Sequence, residues 1–229
     1  MVQVNQTKLF LRFKFRKGGS LQYISHLDLV RTMHKVIVRA KLPLWYTEGF
    51  NPKPKMIFAA PLSIGTESVC EFMDLRMNEY IDPAEAMERI NANMTDEMQI
   101  TEAYYPESKF TDLKWMNYRI TIRPEMVTDD LVERINMALN GESLEVQKKN
   151  SDTRSDIRPL IRYATAVRDG NNVIINATLS ADPSAFLNPE YVIKALRDAT
   201  GVLTSENLMA ESYDIMRLGA YFADMTEFR

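Results

Sequence analysis

Two histidines, one cysteine and a run of early cations are the residues with the widest chemical reach in this 229-residue chain. His26 and His34 stand eight residues apart, which on a helix puts them on similar faces but about 12 Å apart along the axis. That is too far for two ligands on one metal without further donors. Cys70 stands alone, which excludes an internal disulfide, a cysteine zinc site and a cysteine-ligated iron–sulfur cluster within one chain. The sequence carries no phosphate-cradling loop, dinucleotide fingerprint or nucleophile elbow, so neither a cofactor nor a metal is expected. What remains is metal-free acid–base chemistry. His26 or His34, beside Tyr23 in a basic groove, would supply the general acid or base of a ribonuclease.

The cations offer a second chemistry. Residues 1–60 hold eleven Lys and Arg against two acids, a net +9, while the rest holds 17 bases and 29 acids, a net −12. The overall charge of −3 therefore conceals a segregated positive charge, the footprint of a polyanionic partner. Its alternative is a basic surface paired with acidic surface elsewhere in the fold.

Those cations need elements to carry them. In residues 8–16, Leu9, Leu11, Phe13 and Phe15 alternate with Lys8, Phe10, Arg12, Lys14 and Arg16, the period of a strand with one face buried. After Lys17-Gly18-Gly19, Ser25 caps a helix and Asp28 completes a capping box. Leu29, Met33, Val36, Ile37 and Ala40 form its apolar stripe, and Arg31, Lys35 and Arg39 recur every four residues on another face. An irregular loop, Tyr46 to Pro54, brings Lys53 and Lys55 beside Tyr46 and Phe50.

Further along, apolar stretches 55–62 and 69–77 flank Ser63-Ile64-Gly65-Thr66 as a hairpin, Asp82-Pro83 opens a second helix, and 98–105 forms a fourth strand. The second half repeats the plan, with strands at 118–123, 160–168, 173–179 and 208–217 and helices at 129–140 and from Pro189 to Gly201. The polar segment 142–155 reads as a flexible stretch. The fold class is therefore α+β: two ferredoxin-like β-α-β-β-α-β halves, 1–106 and 107–229. With 45% hydrophobic residues, no secretory leader and no apolar run of bilayer length, the cytoplasm is the expected compartment.

A ferredoxin-like sheet has helices on one face only. The first strand would line the other face with cations and Phe10, a combination suited to single-stranded nucleic acid. Its alternative is that the second half packs on this face. For phosphate contacts the expectation names Lys14, Arg16, Arg31, Lys35, Arg39, Lys53 and Lys55, and for stacking Phe10, Tyr46 and Phe50. The expected partner is RNA.

Four motifs carry a family resemblance: Ser25-His26-Leu27-Asp28-Leu29 followed by Arg31; Arg39 to Leu44; Gly49-Phe50-Asn51-Pro52-Lys53-Pro54-Lys55; and Leu62 to Ser68. With Asp156-Ile157-Arg158-Pro159 in the second half, they resemble the radical SAM-linked domain of unknown function over about residues 8–215. The resemblance implies an accessory module that lacks the three cluster-binding cysteines and works with a radical SAM protein, in tRNA or rRNA modification. It also leaves room for a docking subunit that binds that protein alone. By looser analogy, the basic β-α-β-β start is similar to ferredoxin-like RNA-binding and RNA-cleaving proteins of CRISPR systems.

Overall fold

The structure is a computed structural model and describes residues 9–147, 153–207 and 209–229, so Lys8 lies outside the described residues. It contains two compact units, one reaching to Phe110 and including Arg229, the other Thr111–Phe228.

The first unit is built from β1 (Leu9–Lys17), α1 (His26–Arg39), β2 (Met56–Phe58), β3 (Thr66–Met77), α2 (Pro83–Asn91) and β4 (Met98–Tyr104). All pairings are antiparallel, in the spatial order β4-β1-β3-β2, which is the ferredoxin-like arrangement. Leu11, Phe13 and Phe15 of β1 share one core with Met33 and Ile37 of α1 and Ala86 and Ile90 of α2. Both helices therefore cover the same face of the sheet. Capping sets their starts. The Ser25 hydroxyl accepts from the Asp28 N–H at 3.2 Å and donates to the Asp28 carboxylate at 2.6 Å. Asp82 accepts from the Glu85 N–H at 3.1 Å.

The opposite face departs from expectation. Register sets Arg12 across from Asp74 and Lys14 across from Glu102. Arg12 is 0% exposed; its guanidinium donates to both Asp74 oxygens at 2.7 and 2.9 Å and to the Ser108 hydroxyl at 2.8 Å. The Phe110 ring lies 4.3 Å from the same guanidinium. Lys14 Nζ donates to Glu102 at 2.8 Å. Cross-strand acids thus neutralise two cations of the strip that alternation had assigned to an open face. Burial pushes the Asp74 carboxyl up and the Arg12 guanidinium opposes the shift.

The second unit runs β5 (Trp115–Arg123), α3 (Asp129–Asn140), β6 (Glu145–Gln147), β7 (Arg154–Asp156), β8 (Ile161–Asp169), β9 (Asn172–Ser180), α4 (Pro189–Thr200) and β10 (Ser212–Tyr221). Its order β10-β5-β9-β8, antiparallel throughout, repeats that of the first unit. Within segment 142–155, β6 and β7 pair as a two-stranded ribbon; residues 148–152 lie outside the described residues. The last strand starts at Ser212; of the expected start, residue 208 lies outside the described residues, and the Glu211 carboxylate accepts from the Leu203 and Ser205 N–H groups. No helix among the described residues is long and apolar enough to cross a membrane.

Asparagines close the sheet edges. Asn91 of α2 both accepts from the Ile100 N–H at 2.7 Å and donates to its carbonyl at 2.9 Å. Asn136 of α3 does the same to Ala166, at 2.9 and 2.8 Å. Each amide imitates a neighbouring strand and blunts an edge that would otherwise pair with another chain.

Replacing Asn136 with Ala is expected to cost roughly 1–2 kcal/mol in urea unfolding. Asp74→Ala, which strands a buried guanidinium, is expected to cost about 3–5 kcal/mol. Equal midpoints for Asp74→Ala and the wild type would contradict the assigned pair. Tyr104, mainly through burial, and Tyr213, through burial and the Glu190 carboxylate, have phenol pKa values pushed up to about 12. The unfolded chain ionises them near pH 10, so their neutral forms favour folding and stability falls as pH climbs from about 10 toward 12. Absorbance at 295 nm should show these two phenols ionising only as the pH approaches 12.

Candidate functional site

The loop after α1 is built as a finger. Beside the end of β3, the Trp45 N–H donates to the Arg76 carbonyl at 2.9 Å and the Arg76 N–H to the Lys55 carbonyl at 3.0 Å. Lys55 N–H then donates to Trp45 O at 3.2 Å, Thr47 N–H to Lys53 O at 2.9 Å, and Lys53 N–H to the Thr47 hydroxyl at 3.1 Å. The Arg76 guanidinium sits 4.0 Å over the Trp45 ring, and Pro54 is buried at the base. Gly49 turns the tip at φ +121°, a conformation that side chains rarely adopt. Phe50 projects fully exposed, with Asn51, Pro52, Lys53 and Lys55 exposed beside it and Tyr46 exposed lower down. An aromatic ring held in water by a bonded backbone, next to two ammonium groups, can stack on a base while its neighbours meet phosphates.

On α1, Lys35 and Arg39 are exposed, and among the described residues they have no ion-pair partner. Arg31 reaches Asp28 at 3.3 Å. Arg16 is exposed at the end of β1, and Phe10 is half-buried across from Arg76. Alternation separates these cations. Lys14 shares the helix-free face with Arg12, whereas Arg31, Lys35 and Arg39 stand on the solvent side of a helix packed against the other face. The strand and helix cations do not form one surface.

The histidines also part company. His26 lies edge-on to the Phe58 ring, 5.5 Å between centroids, while the Nε2 of His34 is enclosed with no hydrogen-bond partner among the described residues. Tyr23 is exposed.

The motif residues meet in space. Gly65, at φ +83°, donates its N–H to the Gln22 carbonyl at 2.9 Å, and Glu67 accepts from the Gly19 N–H at 2.8 Å. Buried Lys17 donates to the Leu21 carbonyl at 3.1 Å. Segments 17–28 and 62–68 together hold the turn that delivers Ser25 to its cap. The Ser25 hydroxyl first, and Arg31 after it, holds the Asp28 carboxyl below its ordinary value. In the second unit Asp156 accepts from the Leu144 and Arg158 N–H groups at 2.8 and 2.9 Å. Arg158 donates to the Gly141 and Ile161 carbonyls at 3.2 and 2.7 Å. That pair ties the β6–β7 ribbon to β8, and neither residue is aimed at an anion.

Sequence reasoning missed Trp45, the anvil under Arg76, and the acids Asp74 and Glu102. Their signal is cross-strand register, which the sequence of one strand does not carry. Ser25→Ala is expected to lower stability by about 1 kcal/mol through loss of the cap. Phe50→Ser should leave the thermal midpoint unchanged, since its ring packs on nothing; a drop would show that the finger depends on it.

A comparison with curated proteins found no match. Among solved structures, the fold is similar to a chain of a Cbf5-Nop10-Gar1 complex, with TM-score 0.51 and 10% identity over 92% of this chain and 48% of that one. This chain thus spans about half the length of that relative, and the likeness concerns fold alone. An unknown protein from Galdieria sulphuraria aligns over 92% of this chain and 99% of its own, at 9% identity and TM-score 0.26, and carries no argument. Residues 11–189 match the family described as "Uncharacterized protein conserved in bacteria (DUF2344)", and the chain belongs to that family.

Proposed function

We propose that the chain is an RNA-binding module that works in the cytoplasm beside a radical SAM enzyme in tRNA or rRNA modification. In this reading the basic half, 1–106, makes the first contact and the half 107–229 extends it. The finger is the observation that carries the proposal. An exposed phenylalanine costs free energy in water, and here backbone hydrogen bonds and a Gly49 turn hold it out instead of letting it collapse. Lys53 and Lys55 flank it, and Lys35 and Arg39 add cations that no acid neutralises among the described residues. The radical SAM partner rests on the motif resemblance. His34, with its ring nitrogen enclosed, lacks the access that a general base needs.

Fluorescence anisotropy with a labelled single-stranded RNA tests the reading. Four phosphate contacts, from Lys35, Arg39, Lys53 and Lys55, predict a log–log salt slope of about −3, at roughly 0.7 per phosphate. Lys53→Ala with Lys55→Ala should reduce the magnitude of that slope by about 1.4. Phe50→Ala should weaken binding by roughly 1–3 kcal/mol without changing the slope, as loss of stacking does. Binding that ignores salt, or that survives all three substitutions, would refute it.

A further inference from the structure

In the second unit the helix-free face of the sheet exposes Arg119, Arg162 and Tyr163, while Thr178 and Ser180 on the same face are buried. Tyr213 shares a face with Ile122 and donates to Glu190 of α4 at 2.8 Å; Arg168 shares that face with Val173 and pairs with Asp129 of α3 at 3.2 Å. Both helices therefore lie on that side. The other side carries Trp115, Asn117 and Arg119 from β5, Asn176 from β9, and Arg162 and Tyr163 from β8. Arg119 and Arg162 are exposed, Tyr163 is 57% exposed, and Trp115 is half-buried with the Arg162 guanidinium 5.3 Å over its ring. In the first unit the matching face is occupied by the Arg12–Asp74 and Lys14–Glu102 pairs.

Charge is distributed unevenly here too. Thr111–Phe228 holds 13 bases and 18 acids, a net −5, yet the Trp115 end and the centre of this face carry arginines and no strand carboxylate. Asp214, paired with Arg123 at 2.5 Å, and Asp169 stand at the opposite end; beyond the Trp115 end, Asp182 is paired with Lys114. Two guanidinium groups with no ion-pair partner among the described residues, two rings standing clear of the helices and two side-chain amides, one of them Asn117 donating to the Thr178 hydroxyl at 3.3 Å, are groups that meet phosphates, stack on bases and read base edges of unpaired RNA.

We propose that this face is a platform for an unpaired nucleic-acid strand, with Tyr163 and Trp115 stacking on bases and Arg119 and Arg162 meeting phosphates. The identity of the polymer rests on the RNA reading above; the location does not. Apolar packing by a protein partner would not need the arginines, and a purely electrostatic partner would not need the rings.

The full chain carrying Trp45→Phe leaves Trp115 as its one tryptophan, since the sequence has two. Titration with a single-stranded RNA should quench its emission. Arg119→Glu with Tyr163→Ala should abolish the quenching and weaken single-strand affinity at least tenfold, while binding of a blunt RNA duplex changes less than twofold. Tyr163→Phe should restore quenching and affinity, and circular dichroism confirms that each variant is folded. Unchanged single-strand affinity in the double variant overturns the platform and leaves the finger reading standing if Phe50→Ala still weakens binding. Absence of any RNA binding by the parent protein removes both. Equal quenching by heparin, or a response to polyglutamate but not to RNA, overturns the platform in favour of a general polyanion or a protein partner.

Discussion

A guanidinium that is 0% exposed costs free energy unless acceptors and a countercharge lie beside it, and in this chain the Asp74 carboxylate supplies both for Arg12. Much of the first unit follows from that pair. It pins β1 to β3 in one register, draws Ser108 and the ring of Phe110 over the helix-free face, and closes that face to an anionic ligand. Lys14, two residues on, is bound into the same layer by Glu102. In this unit Arg16 and the cations of α1 and of the finger stay exposed.

The two units share one strand order and one way of shielding an edge, an asparagine whose amide stands in for a missing strand. They use the helix-free face differently. In the first, cross-strand ion pairs and buried Phe72 fill it; in the second, Arg119, Arg162 and Tyr163 are exposed beside half-buried Trp115, Asn117 and Asn176. The same architecture therefore supports a closed layer and a partly exposed one, and the difference lies in a few side chains, not in topology. The finger gives the first unit an exposed surface by another route, through a loop whose backbone bonds replace sheet pairing.

The motifs that carry the sequence resemblance divide in the same way. Ser25, Gly65, Glu67, Asp156 and Arg158 spend polar groups on backbone partners, and the Asp28 carboxylate accepts from the Ser25 hydroxyl and Arg31, so their spacing encodes how turns and caps are held. Gly49 to Lys55 directs most of its side chains outward, apart from buried Pro54.

Local pattern alone determined the elements. The period-two run of β1, the Ser25 and Asp82 caps, the turn at Asp169-Gly170-Asn171-Asn172 and the Pro189–Gly201 helix were legible because each is written in neighbouring residues, and the order of elements already named the fold. The β6–β7 ribbon within segment 142–155 was not legible, since each strand depends on a partner outside its own residues. The same holds for the site. Alternation told which strand residues share a face, but which cations remain unneutralised depends on acids 62 and 88 positions away, Asp74 for Arg12 and Glu102 for Lys14. Charge pairing acts through space over a few ångströms, and only the tertiary fold decides which residues come that close.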